Sequence, residues 1–242
     1  LFTRKPSGIS LTESGTRLFA FVKSRDALEN ELRSDLTQAK ENKLQGMLRF
    51  AGYSTVLQQV VTPSIAPLLR KHTNVQAQYI PTQSIHPKED HIRLLQSAQV
   101  DFLVMNADLQ NRNVESIRLG EQELVAIEST RYPERNETYI DSRPEDESTD
   151  YFMKEQKSGP KTFSRSFLHD EEGILRGVSL GLGRGVVFRS MLRSGLNIKE
   201  VHGLKPVRWS LYLHLRKQNY YSPLFDLART ALIENCKKYL GD

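Results

Sequence analysis

The sequence predicts an α/β fold preceded by one long helix, and three observations carry this. Residues 12–45 form a helix-compatible run without proline. Beyond Gly46, short apolar runs alternate with helical patterns, and the run over residues 100–105 is apolar enough to be a strand buried on both faces. Such alternation implies parallel strand pairing through right-handed crossovers.

The long helix starts at Thr12, which can serve as N-cap with Glu13 in the first turn, and extends to about Gln45 with only Gly15 as a weak point. About thirty residues at 1.5 Å each make a rod of ~45 Å, long for an ordinary surface helix. Phe21, Leu28, Leu32, Leu36 and Ala39 fall on one stripe, while Glu29, Glu31, Arg33, Lys40 and Glu41 lie mostly off it. A stripe of this kind wants a partner helix, most simply from a second copy, although periodicity alone fits a helix laid on its own domain equally well.

After Gly46 a strand over residues 47–52 leads through Tyr53, Ser54 and Thr55 into a helix over 56–71, with a break or kink expected near Pro63 and Pro67. A strand over 75–80, a turn over 81–86, a helix over 91–99 and the strand over 100–105 follow. Residues 114–119 precede a separate strand over 124–127 that leaves the first lobe, and the polar stretch 129–136 lies at or beyond a hinge. A second lobe then has a strand at Tyr139 and Ile140, a helix near 148–156, a strand over 161–164 and a helix over 170–180. Gly181, Gly183 and Gly185 follow a helix and precede a strand, the reverse of a phosphate-binding order, so they mark a turn. Strands over 186–188, 198–201 and 209–216 and a helix over 222–240 close the chain; if 209–216 returns to the first lobe, two strands cross between lobes.

At 242 residues and 38% hydrophobic content, the chain can bury an ordinary soluble core. It has no apolar run near the length of a membrane span and no signal-peptide pattern. The one cysteine, Cys236, excludes an internal disulfide and any cysteine-pair metal or redox site, and reads as a half-buried helix residue. Net charge is +5, and Arg4, Lys5, Arg17, Lys23 and Arg25 face only Glu13 before Asp26. Phosphate attraction is one reason for such a basic end, and a solvated face is another.

An enzyme is not expected. His72, His86, His91, His169, His202 and His214 show no metal-ligand spacing, and there is no Gly-x-Ser-x-Gly elbow. His169 and Asp170 beside Ser164 and Ser166 lack a third partner, so no catalytic residue, metal or cofactor is assigned. Ligands of open parallel sheets settle at the carboxyl ends of strands, where helix starts expose unpaired N–H groups. The positions expected there are Ser54, Thr55, Thr82, Gln83, Asn106, Ser129, Thr162, Phe163 and Ser164, which suit a small polar or anionic molecule. Ser54 and Thr55 are the strongest pair, though either could instead be only an N-cap.

The opening Leu1-Phe2-Thr3-Arg4-Lys5-Pro6-Ser7-Gly8-Ile9-Ser10-Leu11-Thr12-Glu13-Ser14-Gly15 closely resembles the wing and linker-helix start of LysR-type transcriptional regulators. The rest of the chain agrees with that family in order and length. The resemblance implies a two-lobed, periplasmic-binding-protein-like (type 2) α/β sensor domain behind a long linker helix and the wing remnant of a winged helix-turn-helix. Residues 1–11 would be the wing, 12–46 the linker and dimerisation helix, 47–127 plus 209–242 effector-binding lobe I, and 128–208 lobe II. The family's helix-turn-helix lies before the Leu-Phe pair, so a chain starting at Leu1 without an initiator Met is expected to be a fragment.

Further implications come with the resemblance. Arg4, Lys5 and Ser7 would contact promoter DNA, and Phe21, Leu28, Leu32, Leu36 and Ala39 would join copies into a homodimer or homotetramer. A small-molecule effector held between the lobes would alter subunit packing and DNA binding in the cytoplasm, at the nucleoid, with RNA polymerase as a further partner and no membrane. In this family the turn carrying Ser54 and Thr55 commonly touches the effector, and the cysteine pair of peroxide-sensing members is absent. The rival is a solute-binding protein of the same lobe architecture, against which the basic wing and the rod argue.

Overall fold

At the basic start of the chain, Phe2–Lys5 (β1) and Gly8–Leu11 (β2) form an antiparallel hairpin with Phe2 opposite Leu11 and Arg4 opposite Ile9. Its turn side is relieved by Gly8, whose φ of 127° an L side chain rarely adopts. The computed structural model describes residues 1–5, 8–19, 21–22, 25–26, 29, 32, 44–82, 88–132, 137–157 and 162–241. Helix α1 covers residues 13–19, and residues 21–22, 25–26, 29 and 32 are helical as well. Thr12 caps it: its Oγ1 accepts from the Gly15 N–H at 3.1 Å, and its own N–H donates to the Leu1 carbonyl at 2.9 Å. Gly15 is therefore no weak point, because a Cβ there would lie 2.0 Å from the Leu1 carbonyl oxygen.

The chain divides into two compact units, residues 1–120 with 211–240 and residues 121–210 with Gly241. The first unit follows the predicted alternation: Gly46–Gly52 (β3), a helical stretch from Ser54 to Lys71, Val75–Pro81 (β4), Lys88–Gln96 (α4) and Phe102–Met105 (β5). β3 lies between β4 and β5 and pairs parallel with both, and β5 is buried at all four positions. β11 (Val207–Arg216) runs antiparallel to β5, with Tyr212 opposite Met105 and Leu215 opposite Phe102, and has β6 (Val114–Ser129) as its other neighbour. The helix α4 ends earlier than the expected 99, because Ala98 turns left-handed at φ 52° and the N–H groups of Ala98 and Gln99 return to Leu95 and Leu94.

Two other expectations are corrected. Of the break or kink expected after β3, the break is absent: α2 (Ser54–Val56) passes through a local distortion, the π-helical turn Leu57–Val61, into α3 (Thr62–Lys71). Pro63 has no N–H to give and its ring needs room. The widened turn supplies it, and the Thr62 N–H and Oγ1 both satisfy the Leu57 carbonyl, the latter at 2.7 Å. Likewise, the two pieces expected over 114–119 and 124–127 are a single 16-residue strand, β6, which Gly120 at φ 149° allows to continue. Across the other face of the first unit, Phe50, Phe102, Phe225 and Tyr221 stack in succession with centroid spacings of 5.5, 4.3 and 4.9 Å, tying the sheet to the last helix, α7 (Pro223–Cys236).

In the second unit, β6 pairs antiparallel with Arg184–Phe188 (β9), which is parallel to Thr138–Asp141 (β7), in turn parallel to Ser164–Phe167 (β8). The strand expected over 161–164 is thus displaced: β8 starts where that strand should end. Ile198–Glu200 (β10) adds to β6. Leu124, Ala126, Tyr139 and Val186 pack on one side with Phe152 and Met153 of α5 (Ser148–Lys154). Val125, Ile127, Ile140 and Val187 pack on the other with Ile174, Leu175 and Val178 of α6 (Glu171–Ser179).

A closed polar network fixes the loop between β7 and α5. Asp141, with no exposed surface, accepts from Thr149 Oγ1 and Arg165 Nε, both at 2.5 Å, and Arg165 also reaches the Asp146 carbonyl. Asp146 accepts from Ser142 N–H and Oγ at 3.2 and 2.7 Å and from Ser148 N–H and Oγ at 3.0 and 2.6 Å. Burial pushes the Asp146 carboxyl up, but these bonds outweigh it and hold it below the ordinary 3.8. At Asp141 burial prevails over the bonds from Thr149 and Arg165, and the carboxyl sits above 3.8.

Two outcomes follow from this packing. A Cβ at Gly52 would lie 2.5 Å from the Val104 carbonyl oxygen, so Gly52→Ala should lower urea-unfolding stability by about 1–3 kcal/mol. Asp146, with a depressed value, contributes stability that is present above 3.8 and lost as pH falls through its folded value, whereas Asp141 acts in the opposite sense. Asp146→Asn should therefore cost roughly 1–3 kcal/mol near neutral pH. In urea titrations at successive pH values the gap to the unmodified chain should close as pH drops below 3.8.

Candidate functional site

In the first unit, parallel register aligns Gly52 with Pro81 of β4 and Val104 of β5. Tyr53, Ser54 and Thr55, then Thr82, then Asn106 therefore leave three adjacent strands at the same, carboxyl end. Close approach of β3 to β5 at Gly52 sets their spacing. The Thr82 N–H donates to the Gly52 carbonyl at 2.9 Å, and the Tyr53 hydroxyl donates to Asn106 Oδ1 at 3.3 Å.

Ser54 and Thr55 are not helix caps. The N-cap is Tyr53, extended at φ −63° and ψ 140°, whose side chain makes no capping bond, and the first turn contains no acidic residue. Ser54 and Thr55 are instead the first helical residues, where N–H groups have no intrahelical acceptor and the positive end of the peptide dipoles lies. Thr55 is buried, Ser54 is half-buried, and the Ser54 hydroxyl has no partner among the described residues. Tyr53 has no sequence signature as a cap and its link to Asn106 is invisible in a single chain, so neither was expected. The arrangement offers unused N–H donors, a free hydroxyl and the dipole's positive end, the equipment for a carboxylate or another small anion.

The expected positions in the second unit are not assembled in that way. Ser129 closes the turn after β6, its Oγ accepting from the Arg131 and Tyr132 N–H groups at 3.2 and 3.1 Å. Ser164 stands opposite Thr138 at the amino ends of β8 and β7, the two hydroxyls 2.9 Å apart, so it does not follow a strand as expected. Thr162 is exposed just before it, and Phe163 packs edge-on against Tyr139 at 5.2 Å. The helix starting nearby is capped from within: Asp170 accepts from the Gly173 N–H at 2.7 Å, with Glu171 and Glu172 in the first turn of α6. This also gives Asp170 a structural task rather than a catalytic one beside His169.

Of the hairpin and helix positions, Arg4 is exposed on β1, as are Phe21 (65%) and Leu32 (56%) on helical backbone. Ser7, Leu28, Leu36, Ala39 and Gln83 lie outside the described residues. Cys236 is buried against Ser64 Oγ at 3.4 Å, and burial raises its thiol above the usual range despite that bond. Among the described residues no group of three or more His, Cys, Asp or Glu could hold a metal ion, and no helix is long and apolar enough to cross a membrane.

Comparison with known proteins bears on this architecture. The profile of the LysR substrate binding domain matches residues 41–237. An uncharacterised HTH-type transcriptional regulator of Staphylococcus xylosus is 25% identical over 91% of this chain and 80% of its own length. The RuBisCO operon transcriptional regulator of Allochromatium vinosum is 25% identical over 83% of this chain, which spans 64% of that relative's length. Among solved structures, full-length LysG of Corynebacterium glutamicum with bound effector Arg superposes with a TM-score of 0.71 at 16% identity, covering 100% of this chain and 84% of LysG. A mixed α/β architecture of the two-lobed, periplasmic-binding-protein-like kind, with a family profile across most of its length, identifies the chain as a member of the LysR family of transcriptional regulators.

Proposed function

We propose that this chain is the effector-binding and oligomerisation region of a cytoplasmic, nucleoid-associated LysR-type regulator that binds promoter DNA, and that its effector carries a carboxylate or similar anion. The observation that carries this reading is the start of α2, whose amides no side chain caps and which leaves β3 at the same end as Thr82 leaves β4 and Asn106 leaves β5. Arginine, the effector in the LysG structure, has a carboxylate, which accords with such a grip. The division into a wing over 1–11, a linker helix over 12–46 and two effector lobes belongs to the same reading.

Regulation would work through populations. A ligand can shift an equilibrium between two subunit arrangements only by its difference in affinity for them, and about 1–3 kcal/mol of coupling suffices for a several-fold or larger change in output. The exposed apolar side chains of Leu18 and Phe19 on α1, and of Phe21 and Leu32 on the helical backbone beyond it, support a second copy as the partner that such coupling needs. Arg4 and Lys5 on the hairpin supply the phosphate attraction for DNA. No turnover of generic ester substrates is expected.

A thermal-shift screen of small carboxylates should give a stabilising ligand, and Ser54→Ala, at the half-buried position, should abolish that shift while changing unliganded stability by no more than about 1 kcal/mol. Loss of folding, or an undiminished shift, would remove the assignment. Leu32→Asp should convert the assembly to a monomer in light scattering; an unchanged mass would reject the helix as the joining element.

A further inference from the structure

Among the described residues of the second unit, one buried side chain has both of its polar atoms without a hydrogen-bond partner. Gln122 in β6 is only 5% exposed, and neither its Oε1 nor its Nε2 has a hydrogen-bond partner. An unpaired buried amide costs folding free energy, whereas Asp141 and Asp146 of the same unit each accept several hydrogen bonds.

Strand alternation puts aromatic side chains on its face. On the adjacent strand, Ser210 Oγ donates to Glu121 Oε1 at 3.4 Å and Arg208 pairs with Glu121 Oε2 at 3.5 Å. Side chains alternate along strands, so Gln122 and Trp209 share the opposite face. That is the face of Leu124, against which Phe188 and Trp209 pack. Trp209 lies 5.3 Å from Tyr151 and 5.6 Å from Phe188 between ring centroids, and Tyr151 is 40% exposed.

From this juxtaposition we infer that Gln122, Trp209 and Tyr151 form a recognition site for a planar ring carrying a hydrogen-bond donor and acceptor side by side, as in a lactam or a carboxamide. A primary amide presents its carbonyl and N–H groups in one plane, so a complementary edge satisfies both at once while the ring rests against the aromatic side chains. A carboxylate would satisfy Nε2 alone, and an apolar ring neither. The inference rests on the proposed reading that the chain binds a small effector, and it adds the class of group the second unit would select.

Trp209 is the only tryptophan in the chain, so its fluorescence reports occupancy directly. Uracil and nicotinamide, which carry the edge, should quench it saturably, whereas benzoate should not. Gln122→Leu, which removes the unpaired amide and keeps an apolar bulk, should weaken binding of those probes at least about tenfold and raise the unliganded melting temperature. No quenching by either probe at millimolar concentration, equal affinity in Gln122→Leu, or a lowered melting temperature in that variant would each overturn the assignment. If a carboxylate binds in a Ser54-dependent manner that Gln122→Leu leaves intact, the effector reading stands and only this assignment falls.

Discussion

Helix α2 begins immediately beyond the end of β3, and no side chain fills the amides at its start. The candidate site depends on that junction. Parallel pairing on both sides of β3 brings three strand ends level, Gly52 lets the backbones approach, and the proline-tolerant π turn carries the helix onward so that its dipole is not interrupted. Other helices are treated differently: Asp170 and Ser222 cap α6 and α7 through their own side chains, and α5, which lacks a capping bond, has Asp150 in its first turn. Among the α-helices whose starts are described, an uncapped start without a nearby acid is therefore the exception, and exceptions of this kind favour an anion from outside.

Charge is distributed in keeping with that contrast. In the second unit Arg184 is matched by Glu128, Arg189 by Glu123 and Glu200, Arg193 by Glu172, and Arg208 by Glu121. Exposed pairs such as Arg193 with Glu172 add little stability, because water screens them and two long side chains must be ordered. Their effect is to leave little unmatched charge there, whereas Arg4, Lys5, Arg17, Lys23 and Arg25 face only Glu13 before Asp26 at the start of the chain, where a polyanion would meet them.

How far the sequence revealed this depended on whether a signal was local. The apolar run ending at Met105 could only be a doubly buried strand, and Thr12 and Gly46 bracketed their elements by ordinary capping and turn chemistry. Pro63 announced a disturbance but not its form, since a break and a π turn both remove the same hydrogen bond. The position of β8 depended on Thr138 meeting Ser164 across strands, a long-range register that no pattern around residue 164 encodes, so the second-unit positions shifted to the wrong strand end. Tyr53 escaped notice as a cap because tyrosine has no short polar group to offer the backbone.

Gln122 is the sharper case, because in a strand pattern a glutamine between Glu121 and Glu123 looks like one more polar residue on a wet edge. Only packing reveals that it is buried, and only the bond inventory that it is unpaired. The same unit satisfies Asp146 through four donors and Asp141 through Thr149 and Arg165, and beside the Tyr139 hydroxyl, also unpartnered, Gln122 stands out by leaving a whole amide unused. Selection for stability alone would replace such an amide with leucine, since an apolar side chain of similar size avoids the desolvation cost. Retaining it is intelligible if a bound molecule completes its hydrogen bonds, because the cost in the empty state then becomes part of what makes the occupied state more favourable.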